Sequence, residues 1–366
     1  MQGMLEQRIP ANERFQAHID LCLACRACEN VCPNNVEYGR LINGVRGLVE
    51  KNRQRSVLQR MGRRALMNGV ATQPAVMRLV GGAMRSWQAT AGKVDWLKRF
   101  GLVRIATQLP SLRPQPVWKA VYPAAGKVRG EVGLFLGCVA RVADVETLSA
   151  SIFVLNRLGY IVHVPPRQGC CGAMHASLGE PEKVRVFEEQ NLRAFTGLEM
   201  EAVISTATGC GATLISYPQD FADRVRDISE FLGEAEGWEE AGMVPLAKKV
   251  AVHDPCLMRN ALHCQDKPYD LLRRIPGATV MPLAGNDQCC GAAGSYFLTQ
   301  PAMAASLLAD KIEAVKASGA QVLASSNIGC AMHLAAGLKA AGIDIEVVHP
   351  ITLLARQMGF DNDKNR

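Results

Sequence analysis

The stretch GCCGAMHAS (Gly169–Ser177) sets two cysteines side by side ahead of a glycine, and CCGAAGSY (Cys289–Tyr296) does the same. Neighbouring cysteines are poorly placed to bridge each other, because disulfide geometry asks for wider Cα spacing. The pairs are therefore read with the cysteines around them. Cys138 precedes Cys170 by 32 positions, and Cys256 precedes Cys289 by 33. Cys210 follows Cys170 by 40, and Cys330 follows Cys289 by 41. Equivalent cysteines are offset by 118, 119 and 120 residues, a drift that two single-residue insertions explain. The chain thus contains an internal repeat of roughly 120 residues.

The sequence around the cysteines repeats in the same order. EVGLFLG (Glu131–Gly137) reads as a buried strand leading to Cys138, TLSASIFVLNRLG as a helix, and YIVHVP as a strand running towards Cys170. EPEKVRVFEEQNLRAF has acids in its first turn and helical periodicity, and EAVISTA is a strand ahead of Cys210. The second copy offers KKVAVHD before Cys256, ATVMPL before Cys289, MAASLLADKIEAVKAS as helix and AQVLASS before Cys330. Strands alternating with helices predict α/β units with mostly parallel sheets. Each cysteine then falls beyond the C-terminal end of a strand, where open α/β sheets place their ligand sites. Each repeat is expected to gather four thiols at one sheet edge: Cys138, Cys170, Cys171 and Cys210 in the first, and Cys256, Cys289, Cys290 and Cys330 in the second. Gly172 and Gly291 are expected to supply positive φ or close backbone approach after each pair. Gly209, Gly211 and Gly329 are expected to frame the last cysteines in the same way.

A third group stands near the N-terminus. CLACRACENVCP (Cys22–Pro33) is C-x2-C-x2-C-x3-C-P, the ligand run of bacterial ferredoxins, so Cys22, Cys25, Cys28 and Cys32 are read as ligands of a [4Fe–4S] cluster. A zinc knuckle is the weaker alternative, since zinc sites usually separate two C-x2-C halves. In two-cluster ferredoxins the fourth cysteine of such a run serves the other cluster. With one run present, we expect a first motif upstream of this sequence. The alternatives are that Cys32 closes the same cluster, that Cys264 does, or that a partner supplies the ligand.

Composition places these groups. The 366 residues include 13 cysteines, an odd number that argues against a closed disulfide framework. No run of 18 apolar residues is present and the N-terminus lacks a signal-peptide core, so the chain is read as cytoplasmic. In that compartment cysteine patterns point to metal or redox chemistry. Net charge is +7, unevenly spread: Lys51–Gly130 carries sixteen Lys or Arg against Asp95 alone, with Trp87, Trp96 and Trp118. Such a stretch suits an anionic membrane surface, as a peripheral contact on the inner face, or an acidic partner. The plainer reading is a solvated helical linker. The segment is not organised like a nucleic-acid recognition module. Gln108–Val128 is proline-rich and read as the link into the first repeat.

A strand-end cysteine, then CCG, then a later Gly-Cys resembles the cysteine-rich CCG domain found in the B-type chain of heterodisulfide reductase and in the iron–sulfur subunits of flavin-linked dehydrogenases. HIDLCLACRACENVCP, GCCGAMHASLGE, TATGCGA, HDPC, CCGAAGSYFLTQP and NIGCAMHL together resemble the glycolate oxidase iron–sulfur subunit family over about residues 1–355. The resemblance implies four segments: a ferredoxin-type [4Fe–4S] domain at 1–50, half of a two-cluster unit; a basic helical linker at 51–129; and CCG domains at 130–247 and 248–358. It implies further cluster ligands among the eight repeat cysteines. It also implies FAD-containing partner subunits that oxidise glycolate to glyoxylate, and a quinone or other membrane acceptor. Lactate and glycerol-3-phosphate systems use similar subunits. Heterodisulfide reductase domains end in C-x-x-C, whereas Thr213 and His333 stand here at the last position. Its five-thiolate non-cubane cluster is therefore not expected, and a thiol–disulfide enzyme is the second reading. A zinc-stabilised scaffold is the third. A lone histidine is more often structural than a ligand; His333, His175 and His253 are read so first, with ligation as the alternative. No G-x-G-x-x-G, G-x-x-x-x-G-K-[ST] or H-E-x-x-H occurs, so no flavin, nucleotide or substrate-oxidising site is expected in this chain.

Overall fold

The computed structural model describes residues 12–53 and 115–361, apart from scattered single positions elsewhere. Among the described residues nine strands form two sheets: β1 (Val121–Tyr122), β2 (Gly130–Phe135), β3 (Tyr160–His163), β4 (Ala202–Ser205), β5 (Val225–Asp227), β6 (Lys249–His253), β7 (Thr279–Pro282), β8 (Val322–Ser325) and β9 (Glu346–Val348). The first sheet has the order β1-β3-β2-β4-β5 and the second β7-β6-β8-β9. Without β1 the two orders are the same, which is the repeat seen as topology. Every pairing is parallel except that of β1 with β3. The central strands β4 and β8 are buried at all four positions, as a sheet covered on both faces requires.

Proline and glycine punctuate the covering helices. Pro181 and Pro301 open the helices Pro181–Phe195 and Pro301–Ser318, where a missing N–H costs nothing. Gly319 closes the second in the left-handed region, φ 61°. The stretch read as a linker ends earlier than proline content suggested. β1 lies inside it as an antiparallel edge strand, and Trp118 packs against the core. Trp87, Trp96 and most of the basic stretch lie outside the described residues. No described helix is long and apolar enough to cross a membrane.

Each repeat keeps an apolar cluster of its own, around Phe135 and Phe195 in the first and Leu323 and Leu334 in the second, but the two share a larger one. The last helix, Pro350–Gln357, packs against Val145–Arg157 of the first repeat, and Ile228–Glu234 packs against Lys267–Arg273 of the second. Leu148, Leu155, Ile204 and Ile228 from one repeat share a buried cluster with Leu271, Ile351 and Leu354 from the other. The Thr147 and Thr352 hydroxyls meet at 3.0 Å, and Arg356 pairs with Glu146 at 2.8 Å. Each repeat thus finishes the other's hydrophobic layer, a pseudo-two-fold exchange. A second line of contact runs along the loops at the strand ends. Thr208 donates its backbone N–H and its hydroxyl to the Ser326 carbonyl, and Gly209 N–H donates to Asn327 Oδ1 at 3.3 Å.

The exchanged helices are capped by equivalent residues of different kinds. Asp227 Oδ1 accepts from Ser229 N–H at 2.8 Å within a capping box completed by Glu230, and His349 Nδ1 accepts from Ile351 N–H at 3.1 Å. Burial pushes the Asp227 carboxyl up to about 7 and the His349 imidazole down to about 3, so both caps favour their neutral forms. The folded state holds the Asp227 proton above the pH at which the unfolded chain loses it. Asp227 therefore makes stability fall as pH rises from about 4 to about 7, by up to about 4 kcal/mol. Asp227→Asn keeps the cap acceptor and is expected to remove that slope. Urea midpoints should then favour the variant at pH 8 and show little difference at pH 4; equal midpoints at pH 8 would count against this account.

Candidate metal centres

The C-terminal edges of both sheets hold the repeat cysteines. Cys138 and Cys256 each lie three residues beyond β2 and β6, while Cys170–Cys171 and Cys289–Cys290 occupy the loops after β3 and β7. Cys210 and Cys330 sit in the first turns of the helices Thr208–Leu214 and Ile328–Ala340. Gly172 and Gly291 adopt φ of 89° and 87°, as read from the sequence. At Gly291 a Cβ would meet the Ala304 carbonyl oxygen at 2.7 Å. Both glycines donate a backbone N–H to the first sulfur of their pair, Gly172 to Cys170 at 3.3 Å and Gly291 to Cys289 at 3.4 Å. Gly209, Gly211 and Gly329 differ from expectation. They are helical and lack positive φ; at Gly211 alone is the approach close, its Cβ position lying 3.2 Å from a Leu262 methyl.

In the first repeat the four thiols form a chain of contacts. The Cys138 and Cys170 sulfurs are 3.5 Å apart, Cys170 adjoins Cys171, and Cys171 adjoins Cys210. The Cys170 contact and burial push the Cys138 thiol well up. The second repeat repeats the pattern, with Cys256 and Cys289 4.0 Å apart and Cys290 meeting both Cys289 and Cys330. Cys289 is held down because it accepts from Cys256 and Cys290, whose own thiols are raised. All thirteen cysteines are free, and the separations of 3.5 and 4.0 Å are far beyond the roughly 2.05 Å of a disulfide. Gathering four buried or half-buried thiols at one sheet edge costs part of their solvation. Soft cations offset that cost by converting thiols to ligating thiolates. The donor sets therefore fit an iron–sulfur cluster.

Polar side chains brace both loops at matching positions, and cysteine spacing alone does not point to them. Gln168 accepts from Leu136 N–H at 2.7 Å and donates to the Leu134 carbonyl at 3.1 Å. Asn286, 118 residues on, does the same for Asp254 N–H and the Val252 carbonyl, at 3.1 and 2.8 Å. The signal is the shared offset of an amide side chain, invisible while only cysteines are aligned. Elsewhere the repeats part company. Asn191 accepts from Gly169 N–H and donates to the Cys170 carbonyl, while Tyr217 donates to the Cys171 carbonyl. The second repeat has Lys311 in place of Asn191; buried, it donates to the Gly285 carbonyl at 2.5 Å and lies within electrostatic reach of Cys290 and Cys289. Asp254 is braced by Tyr269 at 2.7 Å and Arg259 at 3.1 Å.

The N-terminal run winds through two left-handed residues, Ala24 (φ 52°) and Arg26 (φ 60°). Ala24 N–H donates to Cys22 Sγ at 3.4 Å. Burial first, then Cys289, Cys22 and Cys28, push the Cys25 thiol up. Val36 and Asn34 N–H groups and then the Tyr38 hydroxyl lower the pKa of Cys32, and Tyr38 in turn is raised by Cys32 and by Cys28. Cys264 is elsewhere, buried beside Asp227 and Glu230. Its candidacy as the fourth ligand is not supported by this placement. Thr213 bonds to the Gly209 carbonyl at 3.0 Å, His175 faces Glu180 at 2.7 Å, and His333 is buried against Phe297. Among the described residues, His253 alone of the histidines joins a set of potential metal donors, with Cys290 and Cys330.

The N-terminal run docks on the second repeat. Asn260, in the π-helical turn Met258–Leu262, donates to the Cys25 carbonyl at 2.8 Å and accepts from Asn30 at 2.7 Å. π-turns often mark functional sites. Tyr296, just after the second CCG, donates to the Leu21 carbonyl at 3.0 Å, and Arg46 donates to the Cys22 carbonyl. Cys25 accordingly sits within electrostatic reach of both Cys256 and Cys289.

Residues 132–215 and 250–335 each match the cysteine-rich domain family CCG. A glycolate oxidase iron–sulfur subunit of Escherichia coli (strain K12) is 32% identical over 94% of this chain and 85% of its own length. A probable glycolate oxidase iron–sulfur subunit of Bacillus subtilis (strain 168) is 29% identical over 98% and 86%. Lactate utilization protein A of Bacillus velezensis is 28% identical over 60% of this chain and 96% of its own. The paired thiol sites, their duplicated sheets and this near full-length similarity establish that the chain belongs to the family of glycolate oxidase iron–sulfur subunits, with two CCG domains.

Proposed function

We propose that this chain carries electrons within a glycolate dehydrogenase complex, from FAD-containing partner subunits that oxidise glycolate to a quinone or other acceptor. The observation that supports the reading is the docking of the N-terminal run on the second repeat, through Asn260 to the Cys25 carbonyl and Tyr296 to the Leu21 carbonyl, with Cys25 within electrostatic reach of Cys256 and Cys289. Cys22, Cys25 and Cys28 are proposed to hold a [4Fe–4S] cluster, with Cys32 directed to a neighbouring one. The four cysteines of each repeat are proposed to hold a further cluster. When bound, such clusters supply one-electron steps that couple two-electron flavin chemistry to an acceptor. The chain's own residues keep the sites rigid. Gly172 and Gly291 direct N–H groups at sulfur, Gln168 and Asn286 fix the loops, and Asn260, Arg46 and Tyr296 lock the N-terminal run in place.

Anaerobic purification with iron and sulfide analysis and low-temperature EPR tests this reading. Iron and acid-labile sulfide in equal amounts, with signals that appear when glycolate is added together with the flavoprotein partner, are expected. A colourless, zinc-loaded, EPR-silent protein would sink it. Reduction by lactate and not glycolate would move the chain to the lactate-utilising relatives. The basic stretch around Trp87 and Trp96 is proposed as the contact to membrane or flavoprotein, and liposome co-sedimentation with anionic lipid checks the membrane arm.

A further inference from the structure

We infer that His253 is a protein ligand of the second-repeat centre, which makes the two repeat centres chemically different. The inference rests on the reading that this repeat holds a cluster. A ring nitrogen of His253 and the sulfurs of Cys290 and Cys330 all lie within 4.8 Å of one another. The imidazole is 1% exposed. Its Nδ1 is paired with the Ser325 hydroxyl at 3.0 Å, while Nε2 has no hydrogen-bond partner. A buried ring nitrogen without a partner is costly, and a metal ion at Nε2 would remove the cost. The Ser325 contact is the kind of outer bond that orients a ligating histidine. β6 delivers the histidine and β8 the serine, two neighbouring strands paired in register at this pair.

The first repeat keeps the cysteines and the serine but lacks the histidine and its contact. Phe135 occupies the position of His253 at the end of β2, packed in an apolar cluster with Phe195 and Val203. Ser205, equivalent to Ser325, turns its hydroxyl to the Ala207 carbonyl at 3.1 Å. The four cysteines are shared by both repeats; the histidine–serine pair belongs to one. His333 is a weaker candidate, because no side chain orients its ring and it lies outside the three-donor set. A neutral imidazole that takes an iron site in place of one of the four thiolates leaves the centre less negative, a change that raises the potential in clusters where histidine replaces cysteine. The second repeat would then sit higher in potential than the first.

Pulsed EPR of the reduced, full-length iron-loaded chain, with natural and [15N]histidine-labelled protein, is the test. A strongly coupled nitrogen that changes with the label is expected. It should vanish in His253→Phe, which copies the first repeat, and in His253→Cys, which keeps a donor. It should persist in His333→Phe. Absence of the coupling in the labelled native chain overturns the inference without any variant needing to fold. Survival of the coupling in both His253 variants, or its loss in His333→Phe alone, overturns it as well. Iron analysis of Cys290→Ser separates the two levels. If that variant keeps its full iron content, the second-repeat cluster itself is wrong and the inference falls with it. If iron is lost but the native chain shows no bound nitrogen, only the histidine ligand is wrong.

Discussion

Cys25→Ser is expected to lose the iron held by the N-terminal run and to slow electron passage from the flavoprotein partner at least about 100-fold. Losing an outer-shell partner of a metal ligand already costs roughly 10–100-fold in affinity or activity, and Cys25 is proposed as a direct ligand. Its position adds to the effect. It is the thiol of the run within electrostatic reach of Cys289 and Cys256, and Asn260 holds its carbonyl from the second repeat. Cys32→Ser serves as the comparison, because Cys32 is proposed to serve a neighbouring cluster and its sulfur interacts with Val36, Asn34 and Tyr38. That variant is expected to keep the iron bound by Cys22, Cys25 and Cys28. Iron per chain and stopped-flow reoxidation of reduced flavoprotein measure both outcomes. Full iron in Cys25→Ser combined with loss in Cys32→Ser would show that the three-thiol grouping is wrong.

What can be read from the sequence follows from where each signal lies. Cysteines at fixed offsets behind β-branched runs are dense and periodic, so β2, β4, β6 and β8 and the eight repeat thiols are legible. β1 is not, because Val121–Tyr122 is too short for alternation to register and sits among prolines. The exchange of the helices Ile228–Glu234 and Pro350–Gln357 is not legible either. Their apolar faces announce burial but do not say which half of the molecule they cover. The N-terminal run is legible as a cluster motif, and its spacing already raises the question of which cluster Cys32 serves; the contacts of Cys32 with Val36, Asn34 and Tyr38 are what spacing cannot show. His253 resembles a structural histidine for a similar reason. Only the fold places Ser325 on one ring nitrogen and two thiols near the ring.

Lys311→Met should make the second-repeat centre harder to reduce. Lys311 is 2% exposed on the helix Pro301–Ser318, its amine bonded to the Gly285 carbonyl, and Cys290 and Cys289 counter part of what burial does to its pKa. A buried cation here stabilises each electron added nearby. For a unit charge about 6–12 Å away and an effective dielectric near 20, that is about 1.4–2.8 kcal/mol, or roughly 60–120 mV for a one-electron couple. Methionine keeps the length and apolar bulk and drops the charge, so the potential should move negative by about that amount. Lys311→Arg, if it folds, should keep most of it. The first repeat supplies the internal control: Asn191 stands where Lys311 does and serves the Gly169 N–H and the Cys170 carbonyl without any charge. Its centre should not shift in the Lys311 variants. Redox titration followed by EPR resolves the two centres. A potential unchanged within about 20 mV in Lys311→Met would mean that the lysine only ties the loop through Gly285. A negative shift confined to the second centre would make Lys311, with His253, the pair that separates two otherwise matching cysteine sites in potential and sets the direction in which electrons settle.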